Sequence, residues 1–315
     1  MPKAACSDSD FLDLFKKHGA AGTARKLELD LRGVYRRRAR LEAQMQEPIT
    51  LRKPRLQPSV EKYPHRHDLK IDNGVVLVGS DSHYWPGEPS PAHRAFVKFC
   101  KLYKPKIVIK NGDELDGSRI SRHPPIGWET RPSLIDEVEA TKERLAEIED
   151  AVGRKVPLVW PLGNHDARFE TRLATVAPEY AQINGVHLRD HFPRWTPCWA
   201  VWINDDVVVK HRYKGGTHAA YNNTVYAGKT MVTGHLHALK VSPFNDYRGT
   251  RWGVDTGTIA DPQGPQFVDY TEENPKDWRS GFVFLTFKDG KLLWPEVVRV
   301  LDDDHVDFRG RVMRV

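Results

Sequence analysis

Short apolar runs rich in valine and isoleucine alternate with helical stretches from residue 71 to the end of the chain. Five of these runs are nearly continuous, which is typical of strands in a sheet covered on both faces. They are GVVLVGSD (74–81), PKIVIKNGD (105–113), VPLVWPLGNHD (156–166), DDVVVKH (205–211) and KTMVTGH (229–235). The pattern predicts an α/β domain built in layers, over residues 71–315.

Two segments between the runs have helical spacing. They are SPAHRAFVKFCKLYK (90–104) and RPSLIDEVEATKERLAEIEDAVG (131–153). In the second, Ser133 and Asp136 have the spacing of a capping box ahead of an apolar stripe. The segment GFVFLTFKDGKLLWPEVVRV (281–300) places an Asp-Gly pair between two apolar runs, which predicts a β-hairpin.

The first 48 residues read as three short helices. The third, DLRGVYRRRARLE (30–42), opens on the N-cap candidate Asp30 and should turn Leu31, Val34, Tyr35 and Leu41 inward. Its other face carries four arginines: Arg32, Arg36, Arg37 and Arg40. VYRRRARLE resembles the recognition helix of helix-turn-helix modules in phage proteins, which would make these arginines DNA contacts. Glu28 and Leu29 stand in the preceding turn, where many such modules have glycine.

Positive charge is concentrated at the start of the chain. Residues 1–56 hold 13 Lys and Arg against 7 Asp and Glu, whereas the remaining residues hold 35 of each sign. The whole net charge of +6 therefore lies in the first sixth of the sequence. Such asymmetry indicates a polyanionic partner for that segment, although a solvated basic helix would give the same pattern.

The remaining composition narrows the class of protein. Four prolines and scattered charge in residues 46–70 predict a linker or an extended arm over residues 49–70. Three widely spaced cysteines, Cys6, Cys100 and Cys198, argue for a reducing compartment rather than a disulfide framework. No apolar run approaches the ~18 residues of a membrane span, and the N-terminus has no signal-peptide core. We expect a cytoplasmic protein that does not bind membranes.

Each of the five strand runs ends in the same kind of chemistry. The residues that follow them are Asp81 and His83, Asp113, Asn164 and His165, His211, and finally His235 and His237. Groups at the carboxyl ends of strands in an α/β sheet converge on one crevice. Carboxylate, imidazole and amide ligands suit Mn²⁺, Fe, Ni or Zn, and they predict a site for two divalent ions, with Mn²⁺ the expected metal.

These motifs resemble those of the calcineurin-like metallophosphoesterases. The blocks DSH (81–83), GDELD (112–116), GNHD (163–166), His211 and GHLH (234–237) stand in that family's order. The resemblance spans roughly residues 71–300 and implies a layered β-sandwich flanked by helices, with a dinuclear phosphoesterase site. Two ions lower the pKa of a shared water, and the hydroxide attacks phosphorus in line.

The resemblance also implies a role for each residue. One metal would be held by Asp81, His83, Asp113 and His237, and the other by Asp113, Asn164, His211 and His235. His165 would stabilise the transition state or protonate the leaving oxygen, and Asp116 would orient His165. Because the lone histidine lacks the glycine that often follows it in the family, His218 is the reserve candidate for that ligand.

The long basic loop after Asp116 offers Arg119, Arg122 and His123 as candidates for binding the substrate phosphate, with a solvated loop as the alternative. Trp195, Trp199 and Trp202 are expected in the core or at an interface rather than stacked on bases.

We therefore expect a metal-dependent phosphodiesterase that acts on DNA, of the nuclease, processing or repair type. It would be directed to the duplex by its N-terminal module, in a bacterial cytoplasm and with a phage-like architecture. One alternative is a phosphatase or phosphodiesterase acting on a small nucleotide or a phosphoprotein, with a protein-binding N-terminal module. Another is a DNA-binding regulator with a vestigial metal domain, which the complete ligand set argues against.

Overall fold

The computed structural model describes residues 6–51, 62–272 and 274–315. The chain forms two units, Met1–Ser59 and Val60–Val315. The helices are α1 (Asp8–Leu27), α2 (Leu31–Met45), α3 (Pro91–Tyr103), α4 (Leu134–Val152), α5 (Asp166–Val176), α6 (Leu188–His191), α7 (Ala219–Ala227) and α8 (Val268–Thr271). The strands are β1 (His67–Leu69), β2 (Gly74–Gly79), β3 (Ile107–Lys110), β4 (Leu158–Pro161), β5 (Thr196–Cys198), β6 (Val201–Ile203), β7 (Val207–Val209), β8 (Thr230–Thr233), β9 (Lys240–Asp246), β10 (Gly249–Asp255), β11 (Gly281–Lys288), β12 (Lys291–Leu292), β13 (Glu296–Val300), β14 (His305–Phe308) and β15 (Arg311–Arg314).

Two sheets pack face to face in the larger unit. The first has the strand order β15-β14-β13-β11-β2-β3-β4-β5, with β12 paired to β11, and the second has the order β1-β6-β7-β8-β10-β9. Val78 and Ile109 of the first sheet share one buried apolar cluster with Val209, Val232 and Val254 of the second. Both sheets therefore contribute a face to a common core, as in a β-sandwich.

Helices cover the outer faces of the sandwich. Phe96 and Phe99 of α3 and Ile148 of α4 pack with Leu77 and Val108 on the outer face of the first sheet. On the second sheet, α7 lies against β8, β9 and β10. Strands covered on both faces require apolar side chains at successive positions, which explains the unbroken valine and isoleucine runs.

Most predicted elements of this unit are present. The five apolar runs are β2, β3, β4, β7 and β8, and Ser133 and Asp136 form the capping box of α4. Asp289 and Gly290, with φ of 50° and 74°, make the turn between β11 and β12. The layered α/β class is confirmed, and the strands form two sheets, as the expected β-sandwich requires.

The predicted linker 49–70 overlaps this unit. Residues 52–61 lie outside the described residues. The strand His67–Leu69 pairs in parallel with β6, from His67 opposite Val201 to Leu69 opposite Ile203. The last residues of the predicted linker are therefore an edge strand of the second sheet.

The smaller unit contains helical segments with a core of its own. α1 is interrupted at Gly19, whose φ of 68° and ψ of −177° are not helical. Glu28 adopts a left-handed conformation, and Asp30 caps α2 by accepting from the backbone of Arg32 (2.8 Å) and Gly33 (3.2 Å). The buried core consists of Phe11, Phe15, Val34, Leu41 and Ile49. The helix-turn-helix identity of this unit stays a prediction.

Two details of α2 differ from the prediction. Leu31 and Tyr35 are 44% and 50% exposed, so only Val34 and Leu41 of the expected apolar stripe face the core. Arg37 is also not on an exposed face, because its guanidinium pairs with Asp8 at 2.6 Å and donates to the carbonyl of Cys6 at 2.7 Å. Arg32, Arg36 and Arg40 are exposed as expected.

Candidate metal centre

The residues that follow five strands meet where the carboxyl ends of the two sheets come together. Asp81 donates its backbone N–H to Gly112 (2.8 Å), and His235 donates its backbone N–H to the Asp81 carboxylate (2.9 Å). Asn111 and His211 join the loops after β3 and β7, because His211 Nδ1 lies 2.8 Å from the Asn111 carbonyl oxygen. The loops therefore hold one another in place across the sandwich.

Carboxylate and imidazole atoms form two adjacent groups at this junction. Asp81, His83 and His237 bring one ligand atom each to within 4.8 Å of one another, and Asp113, His211 and His235 do the same. His237 Nε2 lies 3.1 Å from Asp81 Oδ1, and His211 Nε2 lies 3.0 Å from Asp113 Oδ2. His211 Nε2 is also 3.9 Å from Asp81 Oδ1, so the two groups adjoin.

Buried polar atoms without hydrogen-bond partners point to a missing ligand. His83 Nε2 and Asn164 Oδ1 are both buried and accept no hydrogen bond from the described residues. Buried polar atoms are nearly always paired in folded proteins, so each unpaired atom needs a reason. An imidazole nitrogen and an amide oxygen with free lone pairs fit a divalent cation, and the donor set of this structure therefore fits metal binding.

The backbone around these groups is held in unfavourable conformations. Positive φ angles between 40° and 73° occur at Asp81, His83, Asp113, His235 and His237. Such angles cost roughly 1–3 kcal/mol each for residues other than glycine and concentrate at functional sites. Gly163 is needed for a related reason, because a Cβ there would lie 2.0 Å from Asp113 Oδ1.

Charge is strongly coupled within the site. Burial disfavours protonation of His211, but the Asp113 and Asp81 carboxylates outweigh it and raise the pKa of His211 to about 10. In the metal-free protein this imidazole therefore holds a proton at neutral pH. Because a metal ion takes a neutral imidazole, binding at Nε2 would release that proton.

His165 and Asp116 lie beside the two groups. His165 Nδ1 is 2.7 Å from the Asp116 carbonyl oxygen and 3.2 Å from Asp116 Oδ1, which is itself 3.0 Å from His83 Nδ1. Burial opposes protonation of His165, yet Asp113 and Asp116 raise its pKa. Asp116 thus lies between two imidazoles and fixes the orientation of both rings.

Sequence reasoning missed Arg168, which is next to this pair. Its guanidinium lies 3.1 Å from His165 Nε2 and donates to the Asp116 carbonyl oxygen at 2.9 Å. Arg168 stands two positions after the GNHD motif, on the first turn of α5. This closeness to the motif is the one signal by which the sequence could have pointed to Arg168. A cation at this place can stabilise negative charge that develops near His165.

Asp166 has a positioning role that its motif did not reveal. Its Oδ1 accepts from the backbone of Glu114 (2.9 Å) and Leu115 (3.2 Å). Its Oδ2 accepts from the backbone of Asp113 (2.8 Å), the backbone of Gly163 (2.8 Å) and the Trp160 indole (2.9 Å). One buried carboxylate therefore fixes the loop that carries Asp113 to the loop that carries Asn164.

The structure separates the remaining candidates. His211 is buried in the second group, whereas His218 is exposed at the start of α7, outside both groups. Arg119 donates to the Arg131 carbonyl oxygen at 2.8 Å and so braces its own loop. Of the three phosphate candidates, His123 lines the cavity above the centre, whereas Arg119 and Arg122 do not.

The cavity above the centre has a volume of about 360 Å³. His83, Asp113, Asn164, His235 and His237 line it, together with Arg168 and Arg131. Trp85, Phe267, Tyr270 and Trp278 line it as well. Trp195, Trp199 and Trp202 do not line it, and Trp195 is buried with its indole donating to Glu149 at 2.8 Å.

Comparison with known proteins finds similarity in structure only. The sequence matches no protein-family model, and no curated protein matches it. Among solved structures, Vps29 from Entamoeba histolytica complexed with zinc is 14% identical with a TM-score of 0.40, covering 76% of this chain and 98% of that one. A dimetal phosphatase from Danio rerio is 11% identical with a TM-score of 0.38, covering 78% and 98%.

A protein serine/threonine phosphatase from Saccharomyces cerevisiae is 12% identical, with a TM-score of 0.38 and coverage of 76% of this chain and 85% of that one. At these scores the similarity assigns neither chemistry nor substrate to this chain. The chemistry has to be argued from its own residues.

The Asp166 carboxylate can be tested by Asp166→Asn. The substitution keeps the shape of the side chain but replaces one carboxylate oxygen, an acceptor, by an NH₂ group, a donor that faces other N–H groups. Each unpaired buried group costs roughly 1–3 kcal/mol, so we expect the melting temperature to fall by roughly 2–10 °C and metal binding to weaken. Calorimetry and elemental analysis measure the two effects. Asp206→Asn, at an exposed carboxylate, is the control, and equal stability of the two variants would contradict the positioning role.

Proposed function

We propose that the chain is a dinuclear metal-dependent phosphoesterase. The observation that carries the proposal is the pair of adjoining carboxylate–imidazole groups on the floor of one cavity. Asp81, His83 and His237 would hold one ion, and Asn164, His211 and His235 the other, with Asp113 between them. Two bound divalent ions supply an activated water and neutralise phosphoryl oxygens. Mn²⁺ is our first candidate, and Fe, Ni and Zn suit the same ligands.

The side chains beside the metal ligands would act on the phosphoester itself. His165 lines the cavity beside the proposed ligand Asn164, so its imidazole can pass a proton to the leaving oxygen. Asp116 would keep the ring in place through Nδ1. Arg168 would stabilise charge on the phosphoryl oxygens, from the position next to His165 Nε2.

We further propose that the substrate is a DNA phosphodiester, and that the basic N-terminal unit contacts DNA. The exposed arginines of α2 and the charge excess before residue 57 support this.

The alternative substrate is a small nucleotide or a phosphoprotein. The cavity of about 360 Å³ favours the small nucleotide, because that volume is typical of sites for small molecules. Hydrolysis of plasmid, linear duplex, single strand and a small chromogenic diester with added Mn²⁺ distinguishes these substrates.

Asp113→Asn tests the dinuclear site. Asp113 is the residue proposed to touch both ions, so removing its charge should release at least one of them. We expect fewer than two metals per chain by elemental analysis after Mn²⁺ loading, and no hydrolysis of any phosphodiester. The control variant Asp303→Asn, at an exposed carboxylate, should keep both its metals and its hydrolysis activity. Full occupancy with retained activity in Asp113→Asn would overturn the dinuclear assignment.

His165→Ala separates a catalyst from a ligand. The variant should keep both metals but lose about 10²–10⁴-fold in rate, because proton transfer to the leaving oxygen is lost. The loss should shrink for an activated aryl ester, whose leaving group needs no proton. His218→Ala is the matched control and should keep both metals and full rate. An equal loss on aryl ester and DNA would assign His165 another role.

The N-terminal arginines can be tested without disturbing their own unit. Arg32→Ala with Arg36→Ala should weaken duplex binding and reduce the log–log salt slope by about 2, because each phosphate contact contributes roughly one unit. Arg37 is unsuitable because it pairs with Asp8. Hydrolysis of a small diester should not change. Arg299→Ala is the control, and an unaltered salt slope in the double variant would favour a protein partner for this unit.

A further inference from the structure

Three aromatic residues form a wall on one side of the cavity, and we call Phe267, Tyr270 and Trp278 the aromatic wall. The Trp278 ring lies 4.5 Å from the His237 ring and 5.1 Å from that of Phe267. Phe267 in turn lies 5.1 Å from the His83 ring. The wall therefore directly adjoins the imidazoles of the first metal-ligand group, where the proposed phosphoester would react.

Part of the wall is open to the cavity. Phe267 is buried, but Tyr270 is 64% exposed and Trp278 is half-buried. The Tyr270 and Trp278 rings are stacked, parallel within 9° and with centroids 6.3 Å apart, so the open surface of the wall is the outer face of Tyr270. A tyrosine ring backed by tryptophan in this way offers a stacking surface to a planar group.

The rest of the cavity suits an anion. Arg168 lies among its lining residues together with several of the proposed metal ligands, whereas the guanidinium of Arg131 pairs with Glu129. A ligand that matches these lining residues carries a phosphate and a planar aromatic ring. A nucleotide and phosphotyrosine both have these groups, whereas phosphoserine and phosphothreonine lack the ring, and the proposed DNA substrate selects the nucleotide.

We propose that the aromatic wall stacks the base of the nucleotide next to the scissile phosphate. This inference rests on the proposed function. A base within a duplex is stacked on its neighbours and paired, so it cannot also lie against Tyr270 and Trp278. The base must be unpaired, as in base-flipping and single-strand-binding proteins. The substrate is therefore a single strand, a frayed end or a free nucleotide ester.

Two esters with the same leaving group test the wall: the p-nitrophenyl ester of thymidine 5′-phosphate and p-nitrophenyl methyl phosphate. Because the p-nitrophenyl ring is common to both esters, the difference between them reports the base: Tyr270→Ala should lower kcat/KM for the thymidine ester by about 5- to 100-fold more than for the methyl ester, the range of base–aromatic stacking. Tyr270→Phe keeps the ring and should keep the preference. Tyr247→Ala, at an exposed tyrosine between β9 and β10 that does not line the cavity, is the matched control.

Equal effects of Tyr270→Ala on both esters, or none, would overturn the inference. If the wild type hydrolyses neither ester, the proposed function fails, and calorimetric binding still decides this inference. Thymidine 5′-monophosphate should then bind more tightly than deoxyribose 5-phosphate, and Tyr270→Ala should abolish the difference. Identical affinity for the two ligands in the wild type would refute base stacking.

Strand preference tests the unpaired base. The wild type should cut a single-stranded oligonucleotide faster than the same sequence in a covalently closed duplex, and Tyr270→Ala should reduce that preference. Equal internal cleavage of both would contradict the requirement for an unpaired base, even if the ester results hold.

Discussion

The geometry of the centre depends on the buried carboxylate of Asp166. Five N–H groups converge on its two oxygens from the loops after β3 and β4 and from Trp160. Burial raises the pKa of this carboxyl, and the donors offset part of the cost. A peptide segment with Asp113 at positive φ would relax if it were free, so this anchor is what keeps the strained conformation occupied.

Other buried carboxylates repeat the arrangement around the cavity. Asp255 accepts from the backbone of Ala238 (2.9 Å), Leu239 (3.2 Å) and Gly257 (3.0 Å), and so fixes the chain just after His237. Glu137 accepts from the backbone of Ser118, at the start of the loop above the site. The loops after β3, β4 and β8 are therefore each held by a buried carboxylate that accepts from their backbone. These backbone hydrogen bonds preorganise the functional side chains that the loops carry.

The sequence was informative where function and local pattern coincide. β-branched runs predicted β2, β3, β4, β7 and β8, and the residues just past these strands lie close together because strand ends fix their location. The sequence was uninformative about contacts between residues that lie far apart along the chain. Nothing local tells that Arg37 faces Asp8, that Asp166 bonds three successive backbone N–H groups, or that the aromatic wall, in the segment between β10 and β11 that contains α8, reaches His83. The division of the strands into two sheets is likewise a long-range property, which the sequence indicated only through the resemblance of its motifs to a known family.

The cost of unpaired polar atoms and strained backbone also bears on whether the metal centre is vestigial. Unpaired buried atoms such as His83 Nε2 and Asn164 Oδ1 cost roughly 1–3 kcal/mol each in the absence of a ligand. The left-handed conformations at five of the proposed ligands add further cost. In a chain that bound no metal, no described residue would offset the cost of the unpaired atoms of His83 and Asn164. The proposed ligand positions at positive φ, near anchors such as Asp166 and Asp255, are what selection for a bound cation would maintain.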